Sequence, residues 1–236
     1  MHIIYLTTAL RESDYAQLLQ ISRYAPNPSN QNFHLNLIEG LGEITKVDVI
    51  SARPFHYSTQ KVAYYPAATI DNFHYLGFFN LPLLKPISVV RHGAKIVLSL
   101  LQEDSIIVVD SLNLTLAYLV NTLKKKTSTP IFALVTDLAE NMSSVKPSYV
   151  KKMAKTYDLY DGFLCLTEGL NQKVNQKNKP SMIFHGLIRN DNIEADIDLN
   201  QYGKYFFFAG ALYRRYGIIA LLERRRRGER GDVGVT

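Results

Sequence analysis

The chain has 236 residues, 47% of them apolar and 20% charged, with 13 glycines and 9 prolines. That balance excludes a disordered or collagen-like chain and leaves an ordinary globular protein with a sizeable core. Its single cysteine, Cys165, makes no internal disulfide and no multi-thiolate metal centre, which points to a reducing compartment, and half of the +6 net charge sits in residues 224–236.

The opening MHIIYLTTALRES lacks the basic start and long apolar core of a secretory leader, so a cytoplasmic location is expected. His2 to Leu6 is the first predicted strand. Pro28, Ser29 and Asn30 signal a helix start, Phe33, Leu37, Ile38 and Leu41 recur at helical spacing, and Gly42 is the expected stop. Lys46 to Ile50 is the second strand and Lys61 to Tyr65 a shorter one. Between Leu76 and Leu101 the chain is apolar, but Pro82, Lys85, Pro86, Arg91, His92 and Lys95 interrupt it short of the ~20 residues that a spanning helix needs.

Ser105 to Val109 reads as a buried strand. Leu112, Leu116, Leu119, Val120 and Leu123 then form an apolar helical face closed by Lys124, Lys125 and Lys126, cations that suit the negative end of a helix. Ile131 to Val135 is a further strand. A helix over Ser148 to Tyr157 sets Tyr149, Val150, Met153, Ala154 and Tyr157 against Lys151, Lys152 and Lys155. It is read as a core-packed surface helix or, alternatively, as a basic face for peripheral contact with anionic lipid at the inner side of a membrane. Gly162 to Leu166, Ser181 to Phe184 and Tyr205 to Ala209 complete the strands. The alternation predicts an α/β, Rossmann-like domain with a mainly parallel sheet.

In such sheets ligands gather outside the carboxyl ends of the strands. The polar residues there are Thr7 and Thr8, Asp110 and Ser111, Thr136 and Asp137, Thr167 and Glu168, His185 and Gly186, and Gly210. Neither G-x-G-x-x-G nor a P-loop follows the first strand, no G-x-S-x-G elbow occurs, and the histidines show no ligand spacing. No metal and no bound cofactor are expected, and Cys165, inside a predicted strand, reads as core.

The segments ISRYAPNPSNQNFHLNLIEGL, VDVISARP, IIVVDSLN, PIFALVTD, YDGFLCLTEGLNQKVN, SMIFHGLI and YFFFAGALYRRYGIIALLE occur in this order over residues 1 to 223. Together they resemble the amino-terminal half of a GT-B glycosyltransferase of family 4. The resemblance implies a retaining, metal-independent hexosyltransferase that moves sugar from a nucleotide-sugar donor to a glycan or lipid-linked acceptor, as in polysaccharide biosynthesis. It also implies an acceptor domain over residues 1–195, a linker over 196–204, the first strand and helix of a donor domain over 205–223, and a basic tail over 224–236. The family's E-x7-E region is missing, so the chain is expected to be truncated and, by itself, to transfer little or no sugar.

By the same resemblance, Thr136 and Asp137 stand where the family often has a His-Asp pair. Asp137 either orients an acceptor hydroxyl or caps the next helix. Asn30 and Gln31 occupy the place of a donor-phosphate loop, and Asp110, Thr136, Glu168 and His185 face the acceptor cleft. In AGALYRRYGI the usual Arg and Lys positions hold Ala211 and Tyr216, leaving Gly210, Arg214 and, by preference, Arg215 for the donor phosphates. A non-catalytic Rossmann-like binding module is the alternative reading. The tail RRRRGERGDVGVT is a solvated end, a nucleic-acid or acidic-membrane tether, or the mark of an incomplete chain. Without interleaved aromatics, nucleic acid is not an expected partner.

Overall fold

The computed structural model describes residues 1–21, 28–57, 61–142 and 145–187, within a contact unit that runs Met1–Arg189. The predicted strand Tyr205 to Ala209, the linker, the second-domain segment and the tail lie outside the described residues.

Eight strands form one sheet in the order β10-β9-β8-β7-β1-β2-β5-β4. They are β1 His2–Thr7, β2 Lys46–Ser51, β4 Ala68–Ile70, β5 Phe73–Tyr75, β7 Ser105–Asp110, β8 Ile131–Val135, β9 Gly162–Cys165 and β10 Ser181–Ile183. All pair in parallel except β4, which runs antiparallel to β5. A separate two-stranded ribbon pairs β3 Tyr64–Tyr65 with β6 Phe78–Phe79. This is the expected Rossmann-like α/β architecture.

Alternation along β1 explains the layers. Ile4 and Leu6 face one core, with Val89, Val97, Leu116 and Leu119 from α3 Leu84–Leu100 and α4 Leu114–Leu123. Ile3 and Tyr5 face the other, with Leu18 from α1 Glu12–Ile21 and Ile38 from α2 Pro28–Ile44. Both sheet faces are covered, so the strands read as continuous apolar runs. α5 Pro147–Thr156 and α6 Glu168–Val174 follow β8 and β9.

Several boundaries differ from expectation. Thr7, Ser51 and Asp110 are the last residues of their strands rather than loop residues. Their polar side chains are accommodated because backbone groups of the turns after β1 and β7 pair with them. The Ser51 hydroxyl donates to Ala9 O at 2.6 Å, and the Thr7 hydroxyl accepts the Ala9 N–H at 3.1 Å. α2 runs through Gly42 to Ile44, because a glycine with open space at its Cβ position interrupts no packing there. Of Lys61 to Tyr65 only Tyr64–Tyr65 is strand. The apolar stretch before Leu101 holds a 17-residue helix, α3, that the proline and lysine positions concealed. Pro86 sits in its first turn, where a missing N–H leaves no bond unmade. Gly93 lies where α4 approaches most closely: a Cβ there would be 2.7 Å from Leu119 Cδ2.

Candidate functional site

Successive connections leave β1 toward β2 on one side and toward β7 on the other, so strand order reverses between β1 and β7. At that switch point the loops diverge and open a crevice at the carboxyl edge. The structure has a cavity of about 1080 Å³ there. Thr8 beyond β1, Ala52, Pro54 and His56 beyond β2, and Leu112 to Thr115 beyond β7 form its base. The lip Asn80–Pro86 and the segment Val145–Tyr149 close its sides.

Helix starts shape this cavity. Asn113 caps α4, its side-chain oxygen accepting the Thr115 and Leu116 N–H groups at 2.9 and 3.2 Å. Pro147 opens α5, and Leu84 opens α3 without a side-chain cap. The Tyr149 hydroxyl donates to Leu112 O at 2.9 Å and fastens α5 to the β7–α4 turn. Burial, the larger influence, raises the Tyr149 pKa above that of an ordinary phenol.

The lining is basic. Lys61, Lys85, Lys146 and Lys152 all border the cavity, with no carboxylate among the described lining residues. Lys85 donates to Phe55 O at 2.5 Å and sits 4.8 Å from the Phe78 ring centroid. Burial lowers its pKa to about 8. Burial first, and the Lys85 charge second, also lower the His56 pKa below its ordinary value. Behind this wall the Arg53 guanidinium lies 5.3 to 6.0 Å from the ring centroids of Phe55, Tyr65, Tyr75 and Phe78 and donates to Pro66 O. Burial pulls its pKa down as well.

Of the polar residues sought beyond the strands, Thr8 borders this cavity, whereas the residues given roles by the family resemblance fall elsewhere. Asp110 is 4% exposed at the end of β7; one oxygen accepts the Leu112 N–H at 3.2 Å, and the other is 3.5 Å from His34 Nε2. His34 Nδ1 in turn pairs with the Tyr5 hydroxyl. Burial, followed by the Asp110 charge, drives the Tyr5 pKa well above normal.

Gln31 is 3% exposed, and its amide grips the Leu10 backbone, accepting the N–H at 3.2 Å and donating to the carbonyl. Asn30, one residue earlier in α2, is half-buried. Asp137 Oδ1 accepts from Leu138 N–H and Asn141 Nδ2, both at 2.7 Å, at the turn Ala139–Asn141. Thr136 is half-buried before it. Glu168 is exposed as the first residue of α6, behind the capping Thr167, and His185 is exposed beyond β10. Gly210, Arg214 and Arg215 lie outside the described residues.

Asp110 and Gln31 thus flank the β1 end from below, while Asp137, Glu168 and His185 follow β8, β9 and β10. None of the seven described candidates borders the cavity. The lysines that do border it were not recognised as site residues. A single local signal existed, the lip FNLPLLKP, where Lys85 stands alone among apolar residues and prolines. Cys165 is buried within β9, and burial, with a smaller contribution from Glu168, raises its thiol to about 11, as befits core.

No protein-family model matches this sequence, and no curated protein matches it by sequence. Among solved structures it is similar to sucrose-phosphate synthase from Thermosynechococcus elongatus, with a TM-score of 0.60 at 10% identity, over 99% of this chain and 61% of that one. The likeness is one of fold. The chain therefore spans about three fifths of that synthase's length. A looser similarity joins it to α,α-trehalose 6-phosphate synthase from Burkholderia multivorans, with a TM-score of 0.43 at 14% identity, over 74% of this chain and 41% of that one.

Proposed function

We propose that the described body is the acceptor-binding half of a nucleotide-sugar-dependent glycosyltransferase of the GT-B type, and that the cavity at the β1/β7 switch point holds the acceptor. The observation that carries this reading is the cavity's position: it occupies the ligand crevice of a Rossmann-like sheet whose fold is shared with a sugar-phosphate-forming synthase. The finer reading follows the sequence resemblance: family 4, a retaining hexosyl transfer, and a glycan or lipid-linked acceptor met in the cytoplasm or at the inner face of a membrane. Arg215, Arg214, Gly210, Asn30 and Gln31 are proposed for the donor phosphates.

In this role the four lysines attract an anionic group on the acceptor, and Asn113 and Tyr149 keep the turn beneath it rigid. A cavity with walls of one charge sign concentrates ligands of the other. Catalysis then consists of holding the acceptor hydroxyl in line while fixed positive charge stabilises the departing diphosphate. Asp137, outside the cavity lining, is proposed to orient through its second oxygen a hydroxyl of an acceptor that extends beyond the cavity, and Asp110, Thr136, Glu168 and His185 to border the wider cleft.

The test is titration of the purified chain with hexose phosphates, hexose sulfates and neutral oligosaccharides, read by saturation-transfer NMR and calorimetry. Expected is binding of an anionic sugar that Lys85→Met or Lys152→Met weakens. Finding no sugar bound in the cavity would sink the reading. The commitment of Asp137 Oδ1 to Leu138 and Asn141 favours a second reading, a non-catalytic sugar-binding module. Release of nucleoside diphosphate from a nucleotide sugar, dependent on the bound acceptor, separates the two.

A further inference from the structure

Outside the cavity, on the solvent side of α3 and α4, lies an apolar groove of about 660 Å³. Ile87, Val90, Ala94 and Leu98 of α3 and Tyr118 of α4 line it. Arg91, Lys95 and Lys126 form its polar rim, and none of the three makes an ion pair among the described residues.

Exposure makes this more than a shallow dent. Ile87 is 64% exposed and Tyr118 42%; at the start of α3, Leu83 is 83% and Leu84 46% exposed. Leu83 itself has φ of 68° and ψ of −40°, a sparsely populated conformation that costs a leucine about 1–3 kcal/mol. These large aliphatic groups stay in contact with water, with nothing among the described residues to cover them.

The charge pattern selects the occupant. No Asp or Glu occurs between Asp71 and Glu103, nor between Asp110 and Asp137, so neither α3 nor α4 carries a carboxylate. A surface for a folded protein partner ordinarily has an apolar centre with a polar rim in which lysine is depleted. Protruding aliphatic side chains flanked only by long cationic ones suit a different medium, in which the apolar tips enter hydrocarbon and the Lys and Arg heads reach lipid phosphates. Among the described residues no helix is long and apolar enough to cross a membrane, so the contact is a surface one.

We infer that the outer face of α3 and α4, with the Leu83–Leu84 tip, docks on an anionic lipid bilayer. This face, on α3 and α4, is distinct from the basic side of α5, which the sequence offered as an alternative lipid-facing surface. The inference does not rest on sugar transfer, and its readout is independent of any sugar.

The test is flotation of the full chain with vesicles of phosphatidylcholine alone and of phosphatidylcholine mixed with phosphatidylglycerol. Expected is binding to the mixed vesicles, weakened by added salt, with little binding to the neutral ones. The pair Leu83→Ser with Ile87→Ser is expected to lower partitioning on the order of tenfold or more. Arg91→Gln with Lys95→Gln is expected to lower it by on the order of tenfold. Far-UV circular dichroism confirms that each variant is folded.

The arginine tail is separated by changing Arg224, Arg225, Arg226 and Arg227 to glutamine, which is expected to leave the Leu83/Ile87 effect intact. Equal binding by wild type and the Leu83/Ile87 variant overturns the inference, as does absence of binding to anionic vesicles. Self-association that the same variant abolishes, without vesicle binding, assigns the face to a second copy and overturns it too.

Discussion

Replacing Gln31 by alanine separates a structural role for this side chain from contact with a donor phosphate. Its amide saturates both backbone groups of Leu10, a residue only 1% exposed, and so ties the turn after β1 to the start of α2. Alanine leaves the Leu10 N–H and C=O buried without partners, each worth about 1–3 kcal/mol, so the expected loss is about 2–6 kcal/mol. For a domain stabilised by about 5–15 kcal/mol that is a large fraction. Urea unfolding followed by far-UV circular dichroism reads it as a lower midpoint at unchanged slope. Gln31→Glu keeps an acceptor for the Leu10 N–H but loses the donor to its carbonyl and buries a charge, so it is expected to fall at least as far. An unfolding free energy changed by less than about 0.5 kcal/mol, together with lost nucleotide-sugar binding, would refute the reasoning, because only a ligand-facing Gln31 behaves that way.

Because burial sets Lys85 near 8, the cavity should lose a positive charge as pH rises from 7 to 9. Affinity for a sugar sulfate, whose own charge is constant over this range, is expected to fall several-fold to about tenfold, and Lys85→Met to remove the step; calorimetry at several pH values checks it. The sign for stability is the opposite: the unfolded chain holds this proton more tightly, so protein stability should rise with pH between about 8 and the ordinary lysine value of about 10.4.

Gly162→Ala would set a Cβ 2.5 Å from Pro180 O and 2.8 Å from the Phe132 ring, and since a backbone carbonyl yields little, a loss of about 3 kcal/mol or more is expected in thermal or urea unfolding. Asp48 is pushed up by burial, but hydrogen bonds from His74 at 3.0 Å and His2 at 2.7 Å, with Lys46, outweigh that and hold its pKa below the ordinary range. Its contribution is present above about pH 4 and lost as pH falls through the lower folded value. Asp48→Asn should therefore destabilise at pH 6 and flatten the acid limb of the stability profile.

The strands were legible because physics acts on them locally. β1, β7 and β8 are β-branched or aliphatic runs buried on both faces, and no neighbour is needed to recognise them. The ends of β1, β2 and β7 were misjudged by one residue because Thr7, Ser51 and Asp110 look like loop residues until the turns that satisfy them are in place. α3 was concealed by Pro82 and Pro86, helix breakers in isolation, and by the charges between the apolar residues. Pro86 is harmless in a first turn, and Gly93 is required by Leu119 of α4, a neighbour across the fold.

The cavity was illegible for a related reason. Lys61, Lys85, Lys146 and Lys152 are spread over ninety residues and converge only through the sheet. Meanwhile the polar residues just past the strands, where site residues were sought, are largely occupied in shaping turns: Asp137 receives Leu138 and Asn141, and Thr167 caps α6.

The caged Arg53 has a consequence for how the molecule opens. Strands as short as β5 and β6 have marginal stability alone. Here the guanidinium inserted among Phe55, Tyr65, Tyr75 and Phe78, with the Leu76 N–H bonded to Ser51 O at 3.0 Å, joins that excursion to the end of β2. Amides of residues 73–79 should therefore exchange with solvent at rates close to those of β2, as one cooperative block. The lysine-bearing lip at the start of α3 hangs from this block, so the wall of the cavity shares the lifetime of the central sheet.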